Sequence, residues 1–424
     1  MSETGCCTTM PDWISLPVTA AYIHIPFCVR KCTYCDFVSY ACADRARQQA
    51  YIDALIHEIT SVADYYRTYR PELIRPLRTL FLGGGTPTVL AATQTVRILE
   101  HIRHTFGFEP DCECTIEANP GTVTRKSLDS YRSAGINRLS LGLQAIQPHL
   151  LRILGRIHSA DDLRTSVAAA RAAGFTNINV DVLVGLPEQT LDDVRQTVAT
   201  ICSLPLQHIS FYSLILEEGT PLAAVHESHA LALPSDEYER EQYHLVRRML
   251  AAHGFRQYEI SNSARPGYEC RHNRVYWDAL PYYGFGLAAH SYVAGVRSGN
   301  TADLDEYISA FDSPLAGKIS PLRQKNTENA ERDNWQDARP VAIVTEIIDR
   351  DEAMREMMLL GLRLTDGVQN SAFQERFGCS LFSVFTEEIR LLSQRGLVIV
   401  SNDRIRLSDS GLDLANQAFQ LFIK

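Results

Sequence analysis

Between residues 20 and about 215 the chain alternates short runs rich in β-branched and aromatic residues with longer stretches whose apolar positions recur at helical spacing. The runs AYIHIPF (21–27), TLFLGGG (79–85), CECTIEANP (112–120), RLSLGLQ (138–144), NINVDVLVGLP (177–187) and HISFYSLIL (208–216) predict six strands. An intervening stretch such as DDLRTSVAAARAAGF (161–175) carries the helical spacing and closes on glycine. This alternation predicts βα units on a parallel sheet, an α/β fold whose six units make a partial (β/α)6 TIM-like barrel.

Beyond the sixth unit the pattern changes. FRQYEISN (255–262) predicts an edge strand, and ARPGYECRHNRVYWDALPYYGFGLAAHSY (264–292) reads as a long irregular stretch of aromatic residues and glycines. KISPLRQKNTENAERDNWQDARP (318–340) has no apolar period and predicts an exposed insertion or linker. Helical patterns then lead into LVIVSNDRIRLS (397–408), two short β runs around Asn402 and Asp403, which predict a small α+β winged-helix-like module. The resulting division is an N-terminal extension (1–19), the barrel (20–262), a connecting region with HNRVYW (263–317), the polar segment (318–340) and a C-terminal domain (341–424).

Composition narrows the classes. No apolar run reaches the roughly 18 to 20 residues of a membrane span, and MSETGCCTTMPDW lacks the basic and apolar regions of a signal peptide. The expected location is the cytoplasm. A formal charge of -9 disfavours nucleic-acid phosphate as a partner, so the winged-helix-like module reads as packing rather than DNA-binding, despite the arginines of DRIRLS. Eleven cysteines, odd in number and irregularly spread, argue against a disulfide framework and leave metal binding open.

Three of them stand together in CVRKCTYCDF (28–37). Thiolates suit soft metals, and Cys28, Cys32 and Cys35 on one loop can hold three irons of a [4Fe-4S] cluster while the fourth stays open. Zinc, or thiols buried in a core, are the alternatives, although no second pair lies at zinc-finger spacing. In parallel α/β folds the working residues sit at the carboxyl ends of strands. Cys28 follows the first predicted strand, Gly83 to Gly85 the second, and Glu117 the third, with Gln144, Arg156 and Asp181 completing a ring. Arg156 can pair with a carboxylate, and Glu117 and Asp181 can accept from hydroxyls. Taken singly, each of these is equally an ordinary barrel salt bridge, and GGGTPT (83–88) alone is a common kind of turn.

The C-x3-C-x2-C pattern, with Tyr34 before the third cysteine, resembles the radical S-adenosylmethionine superfamily. The resemblance implies a [4Fe-4S] cluster whose open iron is chelated by S-adenosylmethionine, with Tyr22, Gly84, Gly85, Thr86, Glu117, Gln144, Arg156 and Asp181 around that cofactor. YIHIPFC, LGGGTPT, IEANPGT, RLSLGLQ, GLPEQT and the terminal module together resemble the coproporphyrinogen III oxidase group within it. The oxidase branch carries a fourth cysteine where this chain has Phe37, which argues against that activity. CDF (35–37) and HNRVYW (272–277) are instead similar to the heme-chaperone branch.

That branch implies heme as a third bound group, held at His272, Asn273, Tyr276 and Trp277. Read without the resemblance, a histidine beside aromatics is a satisfied structural residue more often than a ligand. Cys270 and His290 are rival iron ligands. The function implied is delivery of heme to an acceptor protein, with no catalytic residue assigned. The alternative is oxygen-independent coproporphyrinogen III decarboxylation in porphyrin biosynthesis. Implied partners are a heme-accepting protein and an electron donor such as a flavodoxin or ferredoxin, with transient contact to a membrane protein left open.

Overall fold

The computed structural model describes residues 13–41, 44–311, 335 and 338–423. The six anticipated strands are present: β1 Val18–Ile25, β2 Ile74–Gly84, β3 Phe108–Ala118, β4 Arg138–Gln144, β5 Asn177–Val184 and β6 His208–Ser213. Each is followed by a long helix: α1 Arg45–Tyr69, α2 Ala92–Phe106, α3 Arg125–Ala134, α4 Ala160–Ala172, α5 Leu191–Cys202 and α6 Asp236–Ala252. Three shorter strands extend the sheet: β7 Arg256–Glu259, β8 Asn262–Ala264 and β9 Tyr283–Phe285. The order is β9-β1-β2-β3-β4-β5-β6-β8-β7, an open array in which β9 and β1 to β6 run parallel, whereas β8 and β7 are antiparallel additions at one edge.

Successive side chains of a strand face opposite sides, and here the two sides differ in chemistry. Leu80 and Leu82, Leu139 and Leu141, Val180 and Val182, Ile209 and Phe211 belong to the apolar core under the helices. The alternate positions are Thr79 and Phe81, Glu113, Thr115 and Glu117, Arg138 and Ser140, Asn179 and Asp181, His208 and Ser210. They line a largely polar interior. Its groups satisfy one another: Asn179 Nδ2 donates to Asp181 Oδ1 at 2.7 Å and to Ser140 Oγ at 2.7 Å, and Asn179 Oδ1 meets His208 Nδ1 at 2.7 Å.

The stretch expected to be irregular is not. It contains β9, the helix Arg271–Trp277 and the strand His290–Val293. Its glycines masked the pattern because they mark close backbone approach rather than loop. A Cβ on Gly284, in the middle of β9, would lie 1.8 Å from His290 O. His290–Val293, Val296–Asn300 and Ala342–Ile347 form a separate three-stranded sheet.

The polar segment 318–340 lies outside the described residues except for Trp335 and residues 338–340. Arg339 is buried, donating to Gly284 O and Ser291 Oγ at 2.9 Å each and lying 3.6 Å from the buried carboxylate of Glu58. A buried guanidinium is tolerable because that anion and those acceptors meet it. Residues 1–12 of the N-terminal extension are likewise outside the described set.

The C-terminal residues build a second core around Met358, Leu362, Phe373, Phe377, Phe385, Leu392 and Ile405. Val398–Val400 and Arg404–Leu407 pair as the expected hairpin around Asn402 and Asp403, and Val368–Gln369 adds a third strand. This is the small α+β unit anticipated. Among the described residues no helix is long and apolar enough to cross a membrane.

Candidate functional site at the barrel mouth

The cysteine loop leaves β1 and is closed by a two-residue pairing, Phe27 with Tyr40 and Cys28 with Ala41. Its middle is pinned from two sides. Thr33 donates from its amide to Leu154 O (3.1 Å) and from its hydroxyl to Ile153 O (2.7 Å), while its carbonyl accepts from Leu222 N (2.8 Å). Cys28, Cys32 and Cys35 are unbridged and half-buried. Burial raises the thiols of Cys32 and Cys35, opposed by Arg156 at the first and by the Phe37 amide at the second.

Among the described residues no three His, Cys, Asp or Glu side chains are gathered closely enough to hold one metal ion. A [4Fe-4S] cubane gives each thiolate its own iron, and three unbridged cysteines on one loop fit that demand. Phe37 projects into solvent with 62% of its surface exposed.

The glycine-rich turn packs directly beneath this loop. Gly85 and Thr86 donate from their amides to Ile25 O (2.9 Å) and Phe27 O (2.8 Å). A Cβ on Gly85 would lie 2.7 Å from Phe27 O, and one on Gly84, at φ +106°, would lie 2.5 Å from the His24 ring. Only glycine fits. Gly84 N donates to Glu117 Oε2 at 3.3 Å, joining the ends of β2 and β3.

Asn119, which the strand-end reasoning passed over although it stands in the same EANP segment as Glu117, joins the remaining pieces. Its Nδ2 donates to Thr86 Oγ1 at 2.9 Å, and Thr86 Oγ1 lies 3.6 Å from Cys28 Sγ. Its Oδ1 accepts from Arg156, whose Nη2 also donates to Tyr34 Oη at 2.8 Å. Arg156 Nε is buried without a partner, a spare donor of the kind a ligand carboxylate takes up. A cavity of about 420 Å³ opens here, lined by Cys32, Thr88, Asn119, Thr122, Arg156 and His158.

The other ring members converge on the same mouth. Tyr22 Oη lies 3.1 Å from His24 Nδ1, and burial, then Glu117, raises its phenol. Gln144 ends β4 in the left-handed region at φ +71°, a conformation that residues with a side chain rarely adopt. Burial, then the neighbouring Asp181, pushes the Glu117 carboxyl up to about 8. Burial also raises Asp181, against the hydrogen bonds of Asn179 and Ser210.

HNRVYW is placed differently. His272 is 1% exposed and reaches down to the middle of the strands rather than their ends. Its Nδ1 meets Thr79 Oγ1 at 2.9 Å, its Nε2 meets Tyr276 Oη at 3.0 Å, and its ring stacks on Phe81 with centroids 5.2 Å apart. Its amide donates to Glu113 Oε1 at 3.0 Å. Burial, then Arg138, lowers the imidazole to about 3, so it is neutral. Tyr276 turns inward, its phenol raised by burial and by Tyr282, Tyr22 and Glu117 among others. Trp277 points to the C-terminal unit, with the Arg363 guanidinium 4.3 Å above its ring. Asn273 is half-buried, its amide on the Cys270 thiol. Of the rivals, Cys270 is buried against Glu113, its thiol pushed up to about 12, whereas His290 is exposed.

Comparison with known proteins finds relatives along nearly the whole chain. The radical SAM superfamily profile matches residues 22–201, and the HemN C-terminal domain profile matches residues 348–414. The heme chaperone HemW of Bacillus subtilis is 36% identical over 406 residues, covering 95% of this chain and 99% of that protein. HemW of Lactococcus lactis is 34% identical, covering 95% and 97%, and HemW of Haemophilus influenzae 31%, covering 96% and 98%. Among solved structures, coproporphyrinogen III oxidase (HemN) from Escherichia coli superposes with a TM-score of 0.75 at 23% identity, over 98% of this chain and 95% of that one. That likeness bears on fold alone.

Proposed function

The chain belongs to the HemW heme-chaperone family of the radical SAM superfamily, and from that premise we propose that it binds heme, a [4Fe-4S] cluster and S-adenosylmethionine and passes the heme to an acceptor protein. The observation that carries this reading is similarity to named heme chaperones over nearly the full length of both chains. Phe37 supports it: an exposed phenyl offers no ligand or proton at the position where the oxidase branch is expected to have a thiol.

In this reading Cys28, Cys32 and Cys35 hold three irons and leave the fourth for the cofactor. When bound, the cluster and S-adenosylmethionine supply one-electron chemistry at low potential, drawn from an electron-donor protein. The backbone of Gly84, Gly85 and Thr86 would receive the methionyl amine, and the unpaired Nε–H of Arg156 would serve its carboxylate. Glu117 and Asp181 would accept from its sugar hydroxyls, with Tyr22 and Gln144 completing the wall. Ile25 and Phe27, both fully buried behind the loop, keep water from that side.

Heme is the cargo, and the HNRVYW segment is where it engages the chain. His272 has the neutral imidazole that iron needs, but its two nitrogens face Thr79 and Tyr276. Ligation by His272 therefore requires one of those contacts to open, and Tyr276 with Trp277 then offers flat apolar area to the porphyrin.

The test uses anaerobically reconstituted full-length protein. Heme should titrate in with a Soret change and transfer to apomyoglobin. Incubation with reductant, S-adenosylmethionine and coproporphyrinogen III should yield no protoporphyrinogen, and substantial product would overturn the chaperone reading.

A further inference from the structure

Four side chains form a line from the cavity to the cysteine loop, and their donors point one way. The Arg156 guanidinium has only donors, so the oxygen of the Asn119 amide must face it, and the Nδ2 end must face Thr86. Thr86 Oγ1 therefore accepts from Asn119 and keeps its own proton for another partner. Cys28 Sγ, at 3.6 Å, is in place to take it. A metal-bound thiolate has no proton to give, which fixes the last contact as hydroxyl to sulfur. Arg156 is itself anchored at its other end on Tyr34 Oη.

We propose that Asn119 is a positioning residue that orients the Thr86 hydroxyl toward the Cys28 sulfur and so raises the reduction potential of the cluster held there. Hydrogen bonds to cluster sulfurs stabilise the more negative, reduced state, and a chain of donors headed by a cation polarises each successive link. The inference rests on Cys28 being a cluster ligand.

The deciding experiment is a mediated redox titration of the reconstituted full-length protein, followed by the electron paramagnetic resonance signal of the reduced cluster. Asn119→Asp keeps the shape but removes the amide donor, so the Thr86 hydroxyl turns to the new carboxylate and away from sulfur. The midpoint should move to more negative potential at unchanged iron and sulfide content. Thr86→Val should move it the same way, Thr86→Ser should leave it in place, and adding Asn119→Asp to Thr86→Val should produce no further movement.

An unchanged midpoint in Asn119→Asp overturns the inference. So does an equal movement in the Thr86→Val background, because that is the effect of added charge alone. Should Asn119→Asp not fold, the comparison of Thr86→Val with Thr86→Ser decides. Cys28→Ala protein that retains a full cluster sinks the ligand reading itself, a result separable from any behaviour of the Asn119 variants.

Discussion

Gly155 lies directly against Thr33: a Cβ added to the glycine would sit 3.1 Å from Thr33 Cγ2 and 3.4 Å from its amide nitrogen. The glycine is at φ +70°, and the two carbonyls before it are those that accept the Thr33 amide and hydroxyl. The turn that follows the helix Pro148–Ile153, between β4 and α4, is thus the clamp that holds the cysteine loop. Gly155→Val should cost about 1 to 3 kcal/mol from the left-handed backbone and the crowding, and it should lower iron and sulfide uptake on reconstitution. Thermal melts and metal analysis check both. Wild-type uptake in a folded variant would remove the clamp from the account.

Cys32 is expected to be indispensable to the cluster, and the remaining cysteines provide the contrast. Burial pushes the Cys202 thiol up to about 11, and its helix lies on the outside of the barrel. Cys32→Ala should abolish the brown chromophore, whereas Cys202→Ala should retain it at full intensity. Absorption spectra with iron and sulfide analysis separate the outcomes, and a full complement of iron in Cys32→Ala contradicts the ligand assignment.

The six strands were readable because their residues suit strands buried on both faces, and because helices with clear apolar stripes punctuate them. The position of Cys28, Gly84 and Glu117 at strand ends was readable because the runs that precede them are clear strands. β9 and the helix Arg271–Trp277 were not, since three-residue strands and two-turn helices have no periodicity to show. Asn119 was missed for a different reason. Its importance lies in joining Thr86 to Arg156, which are 70 residues apart in the chain, and no local pattern records such a contact.

His272 illustrates how placement changes an expectation. Its folded pKa lies below the unfolded value near 6.5, at about 3. The stabilisation is therefore complete above pH 6.5 and is lost as pH falls from there toward 3, because the unfolded chain binds a proton that the buried ring refuses. His272→Gln should flatten this part of the acid limb in denaturant titrations between pH 7 and 5. His272→Ala, which strands Thr79 and Tyr276, should cost about 2 to 4 kcal/mol at neutral pH. Either variant should weaken the heme Soret titration. If binding is unchanged in folded protein, His290 becomes the first alternative, being exposed where Cys270 is buried.

Glu117 carries the opposite sign. Its folded pKa is about 8, raised by burial and by Asp181, against an ordinary carboxylate value near 4.5. The folded protein keeps a proton that the unfolded chain has released, so stability declines as pH rises through the window from 4.5 to 8. Glu117→Gln retains an oxygen to accept from Gly84 N while removing the charge, which frees that site from the decline. The variant should therefore melt higher relative to wild type at pH 8.5 than at pH 6. An equal difference at the two pH values would show that Glu117 is already ionised in the folded chain. The carboxylate would then meet an incoming ligand as an acceptor alone, not as a group with a proton of its own to donate.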